Sequence, residues 1–287
     1  MFIDPELRDA IASVPEQRTW DVRALRAAGD RAFGGTDSAA VVLRDVGGVE
    51  TRLLGSVSAP EVVVVAIHGG GYVTGRAEFD DARNAELAQL IPGSLVVSPD
   101  YRLAPEHPYP AAVEDCLAVL RYVADTYPDI PLVLLGDSAG GGLVDQLGGH
   151  VDAELAARVE RVILLEPCLD PRCDTASYDT YNEGPVWAQK AARAAWEHYL
   201  GRSAGSITLP GWGRSAPGAL RVPRHLIVVN FSDPLRDEAL NRARELSDAG
   251  VSVEVMMPAG SFHGGLSVPG TRVWAQVRER IVEFAST

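Results

Sequence analysis

A chain of 287 residues is long enough to bury a sizeable core, and α/β folds of this length regularly form one domain, so residues 1–287 are expected to share a single core. With 46% hydrophobic and 23% charged residues, the composition excludes a disordered or fibrous chain. The net charge of −13 opposes binding to nucleic acid, and the longest apolar runs, such as Val62 to Ile67, are far too short to span a bilayer.

In chain order, residues 1 to about 35 place Leu7, Ile11, Val14, Trp20, Val22 and Leu25 at near-helical spacing, which predicts a helical N-terminal arm. Acids stand where a secretory signal would need a basic start. Ala40 to Val46 and Val49 to Leu54 are β-rich runs around Gly47-Gly48, a pair suited to a tight hairpin, so the sheet should begin antiparallel.

From Val62 onward, continuous apolar runs read as strands buried on both faces: Val62 to Ile67, Leu95 to Val97, Leu132 to Leu135, Val162 to Leu165, Leu226 to Val229 and Val253 to Met256. Helical stretches alternate with them, their faces marked by Val113, Leu117 and Leu120, by Leu235, Ala239, Ala243 and Leu246, and by Val273, Val277, Ile281 and Phe284. Repeated βα units imply a mostly parallel central sheet with helices on both faces. Asp170 to about Ser215 breaks this rhythm with a helical piece around Trp187 to Leu200, so 170–215, with 1–35, is assigned to a helical cap.

Gly136-Asp137-Ser138-Ala139-Gly140 follows the apolar strand Leu132 to Leu135 and precedes a small-residue stretch, the strand-turn-helix setting of a nucleophile elbow. Side chains two residues either side of Ser138 would collide on such a turn, which explains both glycines. The Ala139 N–H, at the positive end of the following helix, is placed to stabilise a developing oxyanion.

His68-Gly69-Gly70-Gly71-Tyr72 comes directly after another strand, where glycines let backbone N–H groups approach a reacting carbonyl. Taken alone, it could be a phosphate-binding turn. With the serine segment, and with Asp100-Tyr101-Arg102-Leu103-Ala104-Pro105-Glu106-His107-Pro108 running on to Asp115 between them, the chain from about Val62 to the C-terminus resembles the hormone-sensitive-lipase-like (family IV) esterases of the α/β-hydrolase superfamily. The resemblance implies the α/β-hydrolase fold, the Gly70 and Gly71 N–H groups as oxyanion donors beside Ala139, and a structural role for His68 and for the segment around Tyr101.

A serine hydroxyl needs an imidazole to take its proton and a carboxylate to fix that imidazole, in the chain order Ser, acid, His in this fold. Asp233 follows strand Leu226 to Val229, opens a helix, and matches the family's acid in Asp-Pro-Leu-Arg-Asp; Asp237, in the helix's first turn, is the second candidate. Of six histidines, His263 has the right order and context, in the loop after Val253 to Met256 where the family places its base.

Three positions depart from the family: Gly142 where asparagine is usual, Gly264 where an aromatic is common, and Glu166 where a neutral residue precedes proline. Gly264 suggests a more open wall beside the base. Glu166 reads as a solvated or Arg-paired acid, or as a carboxylate recognising a polar or cationic substrate group. Tyr72, Trp187 and Trp196 are candidates for an apolar substrate pocket, with ordinary packing an equal reading for each.

The expected function is that of a serine carboxylesterase cleaving small to medium esters through an acyl-enzyme, with no metal or cofactor and a small-molecule ester as partner. A lactonase, amidase, thioesterase or acyl-transferring cyclase would use the same triad, and a non-catalytic receptor could be built on the same scaffold. Cys116, Cys168 and Cys173 lack metal-ligand spacing and a disulfide framework, which suits a cytoplasmic location. A homodimer is expected only because related esterases commonly dimerise.

Overall fold

The computed structural model describes residues 2–13, 21–34, 40–201, 207–214 and 223–286. Helices α1 (Arg8–Ser13) and α2 (Val22–Phe33) form the N-terminal arm; Val14 and Trp20 of the expected arm lie outside the described residues. Asp21 starts α2 by accepting from the backbone N–H groups of Arg23 and Ala24, donors that a helix start leaves without partners.

Strands β1 (Val42–Val46) and β2 (Val49–Gly55) form the expected hairpin, with Gly47 and Gly48 at φ +64° and +87° in its turn. The alternating part follows as β3 (Val62–Ile67), α3 (Asp81–Leu90), β4 (Ser94–Pro99), α4 (Ala111–Thr126), β5 (Leu132–Asp137), α5 (Ala139–Leu147), α6 (Ala153–Arg158) and β6 (Val159–Leu165). Helices α7 (Ala176–Thr180) and α8 (Gln189–Leu200) then stand between β6 and β7 (Arg224–Val228), and the chain closes with α9 (Arg236–Asp248), β8 (Val253–Met256) and α10 (Arg272–Ser286).

These strands make one eight-stranded sheet in the order β1-β2-β4-β3-β5-β6-β7-β8. The β1–β2 and β2–β4 pairs are antiparallel and the remainder parallel. Alternation within β3 shows why its sequence is apolar throughout: Val63, Val65 and Ile67 enter one core, while Val62, Val64 and Ala66 enter the other. The first core takes side chains from α4, α5, α8 and α9; the second takes Leu7, Leu87 of α3 and the apolar stripe of α10.

Helix α3 has no apolar stripe in the sequence because three of its buried residues are polar: Asp81, Arg83 and Asn84. Asp81 is paired with Arg52 of β2, and Arg83 reaches the end of β5, so ion pairs hold a face that aliphatic side chains would normally fill. Among the described residues, no helix is long and apolar enough to cross a membrane.

Candidate active site

The turn from β5 into α5 presents Ser138 at φ +52° and ψ −114°, a strained backbone for a residue with a side chain. Both glycines of the segment are sterically required. A Cβ on Gly136 would fall 2.3 Å from the Gly140 carbonyl oxygen, and one on Gly140 would fall 2.1 Å from that of Ile67. Gly141 and Gly142 of α5 are equally enclosed, by Pro167 and by the Tyr72 hydroxyl with the Cys168 carbonyl. The helix thus gives up propensity, about 0.5–1 kcal/mol per glycine, so that it can sit against the sheet and the glycine loop.

The loops after β7 and β8 carry the other two members of the constellation. Ser232 and Phe262 form an isolated parallel bridge that extends the sheet past the named strands, and Asp233 and His263 are the next residues in each loop. His263 Nε2 lies 3.0 Å from Ser138 Oγ, and His263 Nδ1–H donates to Asp233 Oδ2 at 2.9 Å. Asp233 Oδ1 accepts from the Leu235 N–H at 2.8 Å, which orients the carboxylate. All three side chains are buried.

Asp237 is elsewhere engaged. Its oxygens accept from the Ser177 backbone N–H and from Arg236 Nε, both at 2.8 Å, fastening α9 to α7.

Burial disfavours the imidazolium, yet the Asp233 carboxylate, with Glu166 next, outweighs it and raises His263 to about 9. Asp137, beside the nucleophile, is raised by burial despite the Arg83 guanidinium 2.8 Å from its Oδ2. His68 is lowered by burial; its ring stacks on Tyr101 with centroids 4.1 Å apart, and Nδ1 pairs with the Gly69 carbonyl at 2.7 Å.

The segment from Asp100 to Asp115 braces the glycine loop. The Tyr101 hydroxyl donates to the His68 carbonyl at 3.0 Å, Asp100 Oδ1 accepts from Ala77 N–H at 2.9 Å, and the Arg102 guanidinium is bonded to Asp115 of α4. Arg26 of α2 donates to the carbonyls of Val73 and Ala104, tying the N-terminal arm to the same loop.

A family model described as alpha/beta hydrolase fold matches residues 64–267. The chain belongs to the α/β-hydrolases. Within that family, it is 32% identical to the esterase LipI of Mycobacterium tuberculosis over 238 residues, covering 78% of this chain and 73% of that protein. It is 28% identical to an ethyl acetate hydrolase of Pseudomonas putida, the match spanning 69% of this chain and under two thirds, 64%, of the relative. The crystal structure of an esterase from the bacterial hormone-sensitive lipase family superposes with a TM-score of 0.84 at 25% identity, covering 100% of this chain and 99% of that one. This α/β-hydrolase is therefore of the hormone-sensitive-lipase-like esterase type, and its Ser138, His263 and Asp233 have the geometry of a serine hydrolase that works through an acyl-enzyme.

Several expected pocket residues lie in other surroundings. Tyr72 and Trp196 are each 1% exposed. Tyr72 stacks on Tyr199 with centroids 4.1 Å apart and meets Trp196 at 4.8 Å, so both belong to the packing between the glycine loop and α8 and do not line an open pocket. Trp187, by contrast, stays at the site: its ring lies 5.7 Å from that of His263 and against Gly71, where a Cβ would fall 2.7 Å from it.

Gly264 adopts φ +85°, which favours glycine, and a Cβ there would stand in ordinary contact with Val186, 3.5 Å away. Gly142 is explained by the Tyr72 hydroxyl, which donates to the Cys168 carbonyl at 2.7 Å in the space an asparagine would need.

Glu166 is neither solvated nor paired with arginine. It is 2% exposed, sits at φ +37°, and has both oxygens occupied, Oε1 by the Gly264 N–H at 2.7 Å and Oε2 by the Asn230 amide. Burial pushes its carboxyl well above the usual carboxylate range. Glu166, Asp233 and His263 bring donor atoms within 4.8 Å of one another, but those atoms are already bonded to each other or to Asn230 and Gly264, so the cluster is a hydrogen-bonded unit with no spare donor set for a metal. The sequence does not mark Asn230 as a site residue; its signal there is its place one residue beyond an apolar strand and three before the acid.

Proposed function

We propose that this hydrolase is a carboxylesterase for small esters with short acyl groups. Ser138 Oγ attacks the carbonyl carbon as His263 Nε2 takes its proton, and the imidazolium then protonates the leaving alcohol. Water, deprotonated by His263, releases the acid and restores Ser138. The N–H groups of Gly70, Gly71 and Ala139 stabilise the oxyanion; Ala139 opens α5, where a helix leaves its N–H without an intrahelical acceptor.

The placement of Trp187 carries the short-acyl reading. Its indole packs on Gly71 and faces His263, so the space where an acyl chain would extend between oxyanion loop and base is bounded by a large rigid ring. The name of the Pseudomonas putida relative, an ethyl acetate hydrolase, fits that size. Segments 1–35 and 170–215 act as the cap in this reading, with Trp187 its contribution to the site. The free, buried state of Cys116, Cys168 and Cys173 suits a reducing compartment.

A series of p-nitrophenyl esters tests both levels of the proposal. The value of kcat/KM should fall about tenfold or more between butyrate and octanoate, and Trp187→Ala should narrow that gap. Equal turnover of acetate and octanoate defeats the short-acyl reading, whereas undiminished turnover by Ser138→Ala defeats the esterase reading itself.

A further inference from the structure

We infer that Glu166 is a positioning residue of the triad, acting on the base through the Gly264 N–H and on the acid through a shared Asn230 amide. The inference rests on the esterase reading and deepens it. Gly264 directly follows His263, so the bond from its N–H to Glu166 Oε1, 2.7 Å long, holds the peptide that carries the imidazole. Asn230 Nδ2 donates both to Glu166 Oε2 and, at 3.1 Å, to Asp233 Oδ2, the same oxygen that accepts from His263 Nδ1. One amide therefore spaces two buried carboxylates that would otherwise repel, and ties the acid's position to that of Glu166.

The strand ends supply the frame. The Glu166 N–H donates to the Val228 carbonyl at 2.8 Å, fixing the residue beside the end of β7, and its φ of +37° turns the side chain out of the strand alternation that Leu164 and Leu165 follow. A non-glycine residue held in that region is strained, and such strain persists where the surroundings demand one orientation. Here both carboxylate oxygens are met by donors from the acid and base loops.

Glutamine keeps the size of Glu166 but brings an NH₂ group against one of its two donors, so the arrangement must loosen on the acid side or the base side. A misplacement near 1 Å can cost about 10²-fold in rate. Glu166→Gln and, separately, Asn230→Ala should lower kcat for p-nitrophenyl acetate by about 10- to 100-fold with KM little changed. They should also shift or broaden the low-field proton resonance of the His263 Nδ1–H bonded to Asp233. Circular dichroism and thermal unfolding identify folded variants; should Glu166→Gln fail to fold, Asn230→Ala carries the test.

A folded variant with kcat within about twofold of wild type and an unchanged His263 resonance overturns the inference. So does a loss confined to KM. Wild-type turnover abolished by Ser138→Ala checks the esterase reading independently, so the two failures are distinguishable.

Discussion

Ser232 and Phe262 pair in a parallel bridge beyond the ends of β7 and β8, and the residue after each is a triad member. The bridge registers the acid loop against the base loop, so the 2.9 Å bond between Asp233 and His263 follows from sheet geometry continued past the regular strands. Asp237, four residues further on, is beyond that register and spends its carboxylate on Ser177 and Arg236.

Asp233→Asn should accordingly reduce kcat by roughly 10⁴-fold, because the wrong imidazole tautomer is then favoured. Asp237→Asn should leave kcat/KM within a few-fold and show instead as a small loss of thermal stability. Steady-state kinetics on the two variants decide between the acids; a larger kinetic loss in Asp237→Asn reverses the assignment.

The pH profile carries a second expectation. Only neutral His263 can accept the serine proton, and its folded-state value of about 9 lies above the usual 6.5 because Asp233 and Glu166 outweigh burial. The acid limb of kcat/KM should therefore lie above 6.5, with activity still climbing from pH 7 toward 9. The carboxylates facing the ring are Asp233 after β7, Glu166 after β6 and Asp137 at the end of β5, the last countered by Arg83 from α3. An acid limb at or below that of free imidazole contradicts this balance.

Gly142→Ala places a methyl 2.1 Å from the Tyr72 hydroxyl and 2.2 Å from the Cys168 carbonyl. Overpacking of this kind costs about 1–3 kcal/mol, to be read from urea unfolding midpoints. Tyr72→Phe in the same chain should recover part of the loss by removing the hydroxyl. If Gly142→Ala is as stable as the wild type, the steric account of this family departure fails.

Arg83 bonds Asp137 Oδ2 at 2.8 Å and Asp80 Oδ2 at 2.7 Å, and its own side chain is 4% exposed. Arg83→Met leaves the half-buried Asp137 carboxylate beside the nucleophile without its cation, a change expected to cost about 3 kcal/mol. Adding Asp137→Asn should restore much of that stability. Additive losses in the double variant, measured by denaturant unfolding, speak against the pairing as the cause.

The chain-level features were legible because they depend on local physics. Strands buried on both faces must be apolar throughout, as Val62 to Ile67 is, and a hairpin turn needs the positive φ that Gly47-Gly48 supplies. The nucleophile segment is equally local: Gly136 and Gly140 are dictated by backbone atoms within and beside one turn. Helix α3 was not legible, since its buried face is held by Asp81 and Arg83 pairing with residues 29 and 54 positions away.

The sequence by itself determined a mostly parallel α/β sheet and a nucleophile turn at Ser138, because strand periodicity and turn sterics are properties of neighbouring residues; the α/β-hydrolase fold and the choice of Asp233 and His263 followed from the family resemblance that its motifs carry. Only the tertiary structure decided what Glu166, Asn230, Tyr72, Trp187 and Trp196 touch. Their surroundings depend on which atoms meet across the ends of separate strands and between the glycine loop and α8, where partners such as Glu166 and Gly264 are 98 residues apart. At such separations a carboxylate's identity says nothing of its donors, and an aromatic ring's position, in the packing or at the site, is set by the elements folded around it.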